Sequence, residues 1–370
     1  MSVSSDVCAV QFAQDVEEAL ALLGPIMRPQ NPALLRQEYP LVYGMPGRGG
    51  VRVLKKEGQA VAGAAFVAFD AITDPPTGLR VGAIGSVGTH PDHRGRGYAG
   101  EVLRECEEAL KSQGCALSIL WSQVPEVFRK NGYVESGTEL DYVLFPEDLG
   151  KLTASPGVVV PFEPDKDLEA GLALYRGHPA RVERGAEEFS RLADIPGMKL
   201  LVHRHLGRVT AYAAFGKGTD FPRTFHEWGG DPAGVFAIVR FCLMQDQEAS
   251  LTLIASEADR GVVEFLAAAG SQPFSGFLGM LKVIDRDELS ERVAPVLERD
   301  FGVAILEGRN GFSLGTSQGR MDLEDPRFLK LLFGYKGIAG EALEATGSLG
   351  STRFRERVPL RMFLWGLDSI

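Results

Sequence analysis

The sequence is poor in the residues that staple or metallate small domains. It has 4 cysteines and 6 histidines in 370 residues. Cys8, Cys106, Cys115 and Cys242 are scattered, with no C-x-x-C pair and no histidine at metal-ligand spacing. That pattern argues against a disulfide framework and a zinc site and reads as reduced core thiols. No apolar run reaches the roughly 20 residues of a membrane span, and "MSVSSDVCAV" lacks the charged and apolar regions of a secretory leader. Cations are the minority, 39 Lys plus Arg against 49 Asp plus Glu, a formal charge of -10. A net-acidic surface repels phosphate backbones and anionic lipid. Neither nucleic acid nor membrane is therefore expected as a partner, and the expected location is the cytoplasm.

What is present is ordinary globular material, 45% hydrophobic and 24% charged, in a chain long enough for two or three cores. Helical spacing runs through "DVEEALALLGPIM", with Asp15 as N-cap and Gly24-Pro25 as the expected stop. Two apolar runs hinged at Glu57-Gly58 predict a hairpin, and "LRVGAIGSVGT" a further strand. A helix from Tyr98 to about Gln113 is expected next, then a strand at Ala116–Ser122, a short helix in "PEVFRKNGY" and a strand in "ELDYVLF".

After the Pro- and Gly-rich stretch 146–164 the same order of pieces returns. "LVHRHLGRVTAYAAFGKG" repeats the hairpin, "AGVFAIVRFCLMQDQEASLTLIAS" the helix and strand, and "RGVVEFLAAAGS" the short helix. The copies stand roughly 130 residues apart and share order rather than identity. From Met280 a third pattern begins: an amphipathic helix, short strands with glycine turns, another helix, and a closing "VPLRMFLWGLDSI". There Val358, Leu360, Met362 and Leu364 alternate as in a half-buried strand. The expected fold is α+β, with domains at 1–150, 151–279 and 280–370.

Between the strand ending at Thr89 and the helix after it lies "HPDHRGRGYAG". Gly95, Gly97 and Gly100 spell G-x-G-x-x-G, a dinucleotide fingerprint. That fingerprint needs the turn directly after the strand and an acidic residue about 20 positions on. Here His90 to Arg94 intervene, and the following strand carries no Asp or Glu. The residues fit a different anion site better. Main-chain amides at a helix N-terminus can wrap a diphosphate if side chains are kept away, and Arg94 and Arg96 add charged donors. A solvated Gly-Arg turn is the plainer alternative.

Arg94, Gly97 and Ala99 also spell R-x-x-G-x-A, the diphosphate loop of acetyl-CoA-dependent N-acetyltransferases. From "AIGSVGT" through that loop to "FRKNGY", the first part resembles a GCN5-related N-acetyltransferase (GNAT) domain. The whole chain resembles the enhanced-intracellular-survival type, which joins a catalytic domain, a degenerate second copy and a sterol-carrier-like C-terminal domain. The resemblance implies tandem GNAT-like mixed sheets and acetyl transfer from acetyl-CoA, without a metal, to a primary amine of a small cationic molecule or a lysine. A non-catalytic CoA- or lipid-binding protein is the alternative, and self-association into a homo-oligomer is left open.

By the same resemblance Val87, Gly88 and Thr89 pair with the pantetheine arm, and Arg94, Gly95, Arg96, Gly97, Tyr98, Ala99 and Gly100 hold the diphosphate. The carboxylate of Ile370 is the implied base, with Asp368 beside it. The family's acid is a tyrosine four residues before the glycine of "FRKNGY", but this chain has Phe128 there. Tyr98, Tyr142 or a water stands in as proton donor, or the thiolate leaves unassisted, and Tyr133 is expected to pack. His226 and Glu227 in "FHEWGG" are the candidate substrate-binding pair, a titrating group beside a carboxylate.

Overall fold

The structure, a computed structural model, describes residues 11–45, 49–245, 250–308, 311–316, 319–334 and 360–370. The chain begins with β1 (Gln11–Ala13), α1 (Val16–Met27), α2 (Leu34–Glu38), α3 (Pro40–Tyr43), β2 (Gly49–Lys56), β3 (Gln59–Ile72) and β4 (Gly78–Thr89). It continues with α4 (Tyr98–Ser112), β5 (Leu117–Leu120), α5 (Pro125–Arg129), β6 (Val134–Ser136) and β7 (Glu139–Leu144). The second stretch runs β8 (Val158–Pro161), α6 (Pro164–Tyr175), β9 (Arg181–Val182), α7 (Ala186–Ala193), β10 (Lys199–His205), β11 (Arg208–Phe215) and β12 (Thr224–Gly230). It closes with α8 (Pro232–Gln245), β13 (Leu251–Ala255), α9 (Arg260–Ala268), β14 (Phe274–Gly276) and β15 (Gly279–Val283). The last stretch holds α10 (Arg286–Val296), β16 (Ala304–Glu307), β17 (Phe312–Thr316), β18 (Gly319–Leu323) and α11 (Asp325–Phe333).

Local chemistry accounts for most boundaries. The Asp15 carboxylate accepts from the amides of Glu17 and Glu18 and starts α1. Gly24-Pro25 does not stop that helix, which runs on to Met27. A proline in the final turn forfeits only one bond of the ladder. Both hairpins turn on two consecutive positive-φ residues, Glu57-Gly58 and Leu206-Gly207, matching the strands' own twist. Gly114, at φ +80, ends α4.

Among the described residues the strands form three sheets. The first is ordered β1-β2-β3-β4-β5-β15-β6 with β9 added to β3, the second β14-β7-β13-β12-β11-β10-β8, and the third β16-β17-β18. Each large sheet has one parallel pair at its centre, β4 with β5 and β12 with β13, and antiparallel pairs elsewhere. The duplication read from the order of pieces is thus a repeated mixed topology.

The sheets do not follow the chain boundaries at 150 and 279. β7 fills the slot beside β13 in the second sheet, and β15 fills the corresponding slot beside β5 in the first. The two copies exchange their last strands, which ties them together through main-chain hydrogen bonds.

One face of the first sheet packs α4 and α5 through Val102, Leu103, Cys106, Leu110 and Phe128. The other packs α1 to α3 and the second copy in one continuous core. Cys106, Cys115 and Cys242 are buried and free; Cys8 lies outside the described residues.

The closing segment differs from its expectation. Residues 360–370 join no sheet, and only Arg361 makes a strand-like bridge, to Asp74. Phe363 and Trp365 are as buried as Leu360, Met362 and Leu364. Apolar residues on both sides of the alternation let the segment thread the interior instead of covering one face. Val358 lies outside the described residues.

Candidate functional site

β4 and β5 pair only through Val81–Leu117, Gly82–Ser118 and Ala83–Ile119. Among the described residues, β4 then runs on to Thr89 without a strand on that edge, so the two central strands splay. On its other edge β4 stays paired with β3 except at a bulge, where Ser86 and Val87 together oppose Ala64. Ser86 takes a left-handed conformation there, φ +49. The bulge turns the amides of Val87, Gly88 and Thr89, the expected pantetheine partners, relative to those before it.

The loop beyond Thr89 is braced from below. The His90 amide donates to Val61 at 2.9 Å, a 3-10 turn follows at Pro91–His93, and Arg94 and Arg96 donate to the carbonyls of Thr89 and Asp92. Gly95 and Gly97 have φ of +76 and +83, and a β-carbon on either would meet nothing within 4 Å. They are glycine for the backbone turn and for an open space in front of it. Among the described residues, the N–H groups from Gly95 to Ala99 have no partner within the protein. A row of free amides at the N-terminus of α4 fits a diphosphate. Gly100 does not belong to that row. Its N–H donates to Gly97 and its Cα faces Asn131 closely, so it serves the packing of α4 on the end of α5. A groove of about 670 Å³ adjoins the loop, between α1 (Glu18, Leu22, Ile26) and His90 and Arg94.

The second copy has the same plan, filled in. β12 pairs with β13 only at Thr224 and Phe225, and the indole N–H of Trp228 then bridges to the carbonyl of Ile254 at 2.8 Å. At the start of α8 the Asp231 carboxylate accepts from the Gly234 amide at 2.9 Å and from Ser155 at 3.0 Å. An aspartate already occupies the place an anion would take.

The closing segment joins the copies. Trp365 packs 4.3 Å from the His178 ring and 5.0 Å from that of Trp228, inside the second copy. A 3-10 turn at Gly366–Asp368 follows, and the main chain of Ile370 then lies directly against Gly85, beside the β4 bulge. Asp368 is fully buried, bonded to Arg184 at 2.8 Å and to the Trp365 amide at 3.2 Å. Burial pushes its carboxyl up to about 6 against the pull of Arg184. It anchors the turn and does not face the splay.

His226 and Glu227, expected to meet a substrate, are both wholly inside. Glu227 receives Arg184 through both oxygens, at 2.8 and 2.7 Å, and the Tyr212 hydroxyl at 3.0 Å. His226 donates to the Gly216 carbonyl and packs against Gly366, and burial with nearby Lys217 pushes it down to about 3. They support the tail from beneath. An isolated His-Glu dipeptide carries no sign of the distant Arg184 that claims the carboxylate.

The proton-donor candidates separate in the same way. Tyr98 opens α4 with its ring 6.4 Å from His93, on the loop and not at the bulge. Tyr142 sits on β7 in the second sheet. Tyr133 packs, its hydroxyl held between Ser118 and Glu107, and Phe128 lies edge-on to it. Sequence reasoning missed Tyr43, at the end of α3. Its hydroxyl is buried beside the Ser86 side chain, forms no well-aligned hydrogen bond among the described residues, and is pushed up to about 12 by burial. It also missed Gly85, Arg184 and Lys217, which only the folded chain brings to this place. Among the described residues no helix is long and apolar enough to cross a membrane, and no group of three or more His, Cys, Asp or Glu could hold a metal ion.

Residues 13–135, about a third of the chain, match the family model of the acetyltransferase (GNAT) domain. No curated protein sequence matches the chain. Among solved structures it is similar to a protein from Enterococcus faecalis described as a probable N-acyltransferase, at TM-score 0.69 and 14% identity over 98% of this chain and 100% of that one. It is similar to a GCN5-related N-acetyltransferase from Anabaena variabilis at TM-score 0.67 and 14% identity, over 98% of this chain and 100% of that one. It is also similar to Eis1 from Mycobacterium abscessus at TM-score 0.61 and 13% identity, over 98% of each chain. At such identities the likeness is one of fold.

Proposed function

We propose that the protein transfers an acetyl group from acetyl-CoA to a primary amine of a small cationic molecule or a lysine. The observation that carries this reading is the splay of β4 from β5 leading to the free amides of Gly95–Ala99. The matched acetyltransferase domain over residues 13–135 supports it. Acetyl-CoA supplies the activated acyl group. Gly95 to Ala99 with Arg94 and Arg96 would hold its diphosphate, and the edge of β4 at Val87–Thr89 its pantetheine arm. A main-chain N–H at the bulge would receive the developing oxyanion.

An amine must lose a proton to attack, and the carboxylate of Ile370 at Gly85 is the proposed base. We read α10, α11 and the sheet β16-β17-β18 as the sterol-carrier-like part of the chain. The excess of acidic residues favours a cationic acceptor, and the site is read as working in the cytoplasm without a metal.

Phe128 supports a second reading, a CoA- or lipid-binding protein without turnover, because a phenyl ring cannot protonate a departing thiolate. Steady-state thiol release with a panel of amines separates the two. Amine-dependent release supports the transferase. Saturable acetyl-CoA binding with no release on any amine supports the binding protein.

A further inference from the structure

Lys217 follows β11 in the second copy and is 1% exposed. No carboxylate lies within ion-pairing distance of its ammonium among the described residues, an arrangement that burial penalises. In its protonated form all three donors are nonetheless used, and all on one segment. Nζ donates to the carbonyl of Gly366 at 3.1 Å, to the carbonyl of Ser369 at 2.9 Å and to the Ser369 hydroxyl at 3.0 Å. The ammonium also lies 4.7 Å from the ring centre of Tyr39, between α2 and α3 of the first copy. It therefore stands where the first copy, the second copy and the closing segment meet. The charged groups that act on it are Asp368, Arg184, Glu227 and Glu38.

Arg184 adds a second hold. It is fully enclosed, pairs with Glu227 of β12 and reaches across to Asp368 of the closing turn. The partners that Gly366, Asp368 and Ser369 find outside the closing segment thus come from the second copy, yet the residue these bonds aim, Ile370, lies on β4 of the first. The second copy's own splay is filled by Trp228 and His178, with Trp365 of the closing segment packed on both.

We propose that the second copy, through Lys217 and Arg184, is a clamp that seats residue 370 against Gly85, and that Lys217 is a positioning residue for acyl transfer at the β4 bulge. The inference rests on the transferase reading for its consequence, though not for the seating itself. A side chain that merely filled the core would need no three donors converging on one turn. A clamp needs them there, because a 3-10 turn of three residues has no helix ladder to hold its last carbonyls.

The test measures seating and turnover separately in the full-length protein. Hydrogen exchange followed by mass spectrometry reads residues 360–370 in wild type, Lys217→Met and Ser369→Ala. Lys217→Met is expected to raise exchange there at least about ten-fold while β10 and β11 keep wild-type protection. Ser369→Ala removes one of the three acceptors and is expected to give a smaller rise in the same segment, which covers the case of a poorly folded Lys217→Met. In thiol-release assays Lys217→Met is expected to lose about ten-fold in kcat with KM for acetyl-CoA within about two-fold of wild type.

Wild-type protection of 360–370 in both variants overturns the proposal. So does raised exchange with unchanged kcat, or a loss that falls on KM. If the wild-type protein turns over no amine at all, the transferase reading falls, while the exchange data still decide whether Lys217 seats the tail.

Discussion

A β-carbon at residue 85 would overlap the carbonyl group of Ile370. Gly85 is therefore the contact that lets the closing segment reach the splayed strand. Gly85→Ala is expected to push residue 370 off β4. It should cut amine-dependent thiol release about 100-fold, in the range of a lost general base, with acetyl-CoA binding by calorimetry unchanged. Loss of binding in parallel with turnover would instead make Gly85 part of the cofactor wall.

The proposed diphosphate cradle depends on Gly97, which opens α4 at φ +83. Gly97→Val should weaken acetyl-CoA binding at least about ten-fold, since a β-branched residue resists that conformation and its side chain would enter the open space. Arg94→Ala should weaken it by less, through one lost charged donor. Isothermal titration reads both. An unaltered dissociation constant in Gly97→Val removes the loop from the site.

Lys217 makes the stability of the fold depend on pH in a way that can be signed. Burial lowers its ammonium from 10.5 to about 7. Between those values the unfolded chain keeps a proton that the folded chain has released, so stability rises with pH across that window. Compared with Lys217→Met, wild type should gain stability from pH 7 to pH 10, by at most about 1.4 kcal/mol per unit, and show no such trend below pH 7. Urea denaturation at a series of pH values measures the difference.

Asp231 has filled the second helix N-terminus with its own carboxylate. Asp231→Ala should cost about 1 kcal/mol of stability, the usual loss of an N-cap, in thermal or urea unfolding. Acetyl-CoA should still bind one molecule per chain, because Trp228 continues to close the second splay. A second binding event in calorimetry would mean that Asp231 alone had disabled that copy.

Phe128 lies edge-on to Tyr133 in a buried position, 7% exposed. If a hydroxyl is what this site lacks, Phe128→Tyr should raise kcat for thiol release while leaving KM for acetyl-CoA unchanged. An unchanged or lower kcat would place proton donation elsewhere, with Tyr43 beside Ser86 the next residue to replace.

Much of this architecture was legible in the order of residues. Local signals, each confined to a few neighbours, placed the Glu57-Gly58 turn, the span of α4 and the glycine turn ahead of it. Order alone revealed the duplication, because repeated supersecondary pieces keep their sequence of types after their identities have drifted.

Long-range contact decided the rest. Nothing near Glu139–Leu144 or Gly279–Val283 announces that each strand completes the other copy's sheet, since a strand's alternation fixes its faces and leaves its neighbour open. Glu227 looked like a free carboxylate because Arg184 is remote in the chain and adjacent only in the fold. Gly85 looked like any small strand residue until the last residue came to rest on it. Periodicity and turn chemistry act over a few residues and so are written locally. The pairing of charges and the seating of a chain end depend on which surfaces meet, and that is settled only when the whole chain is packed.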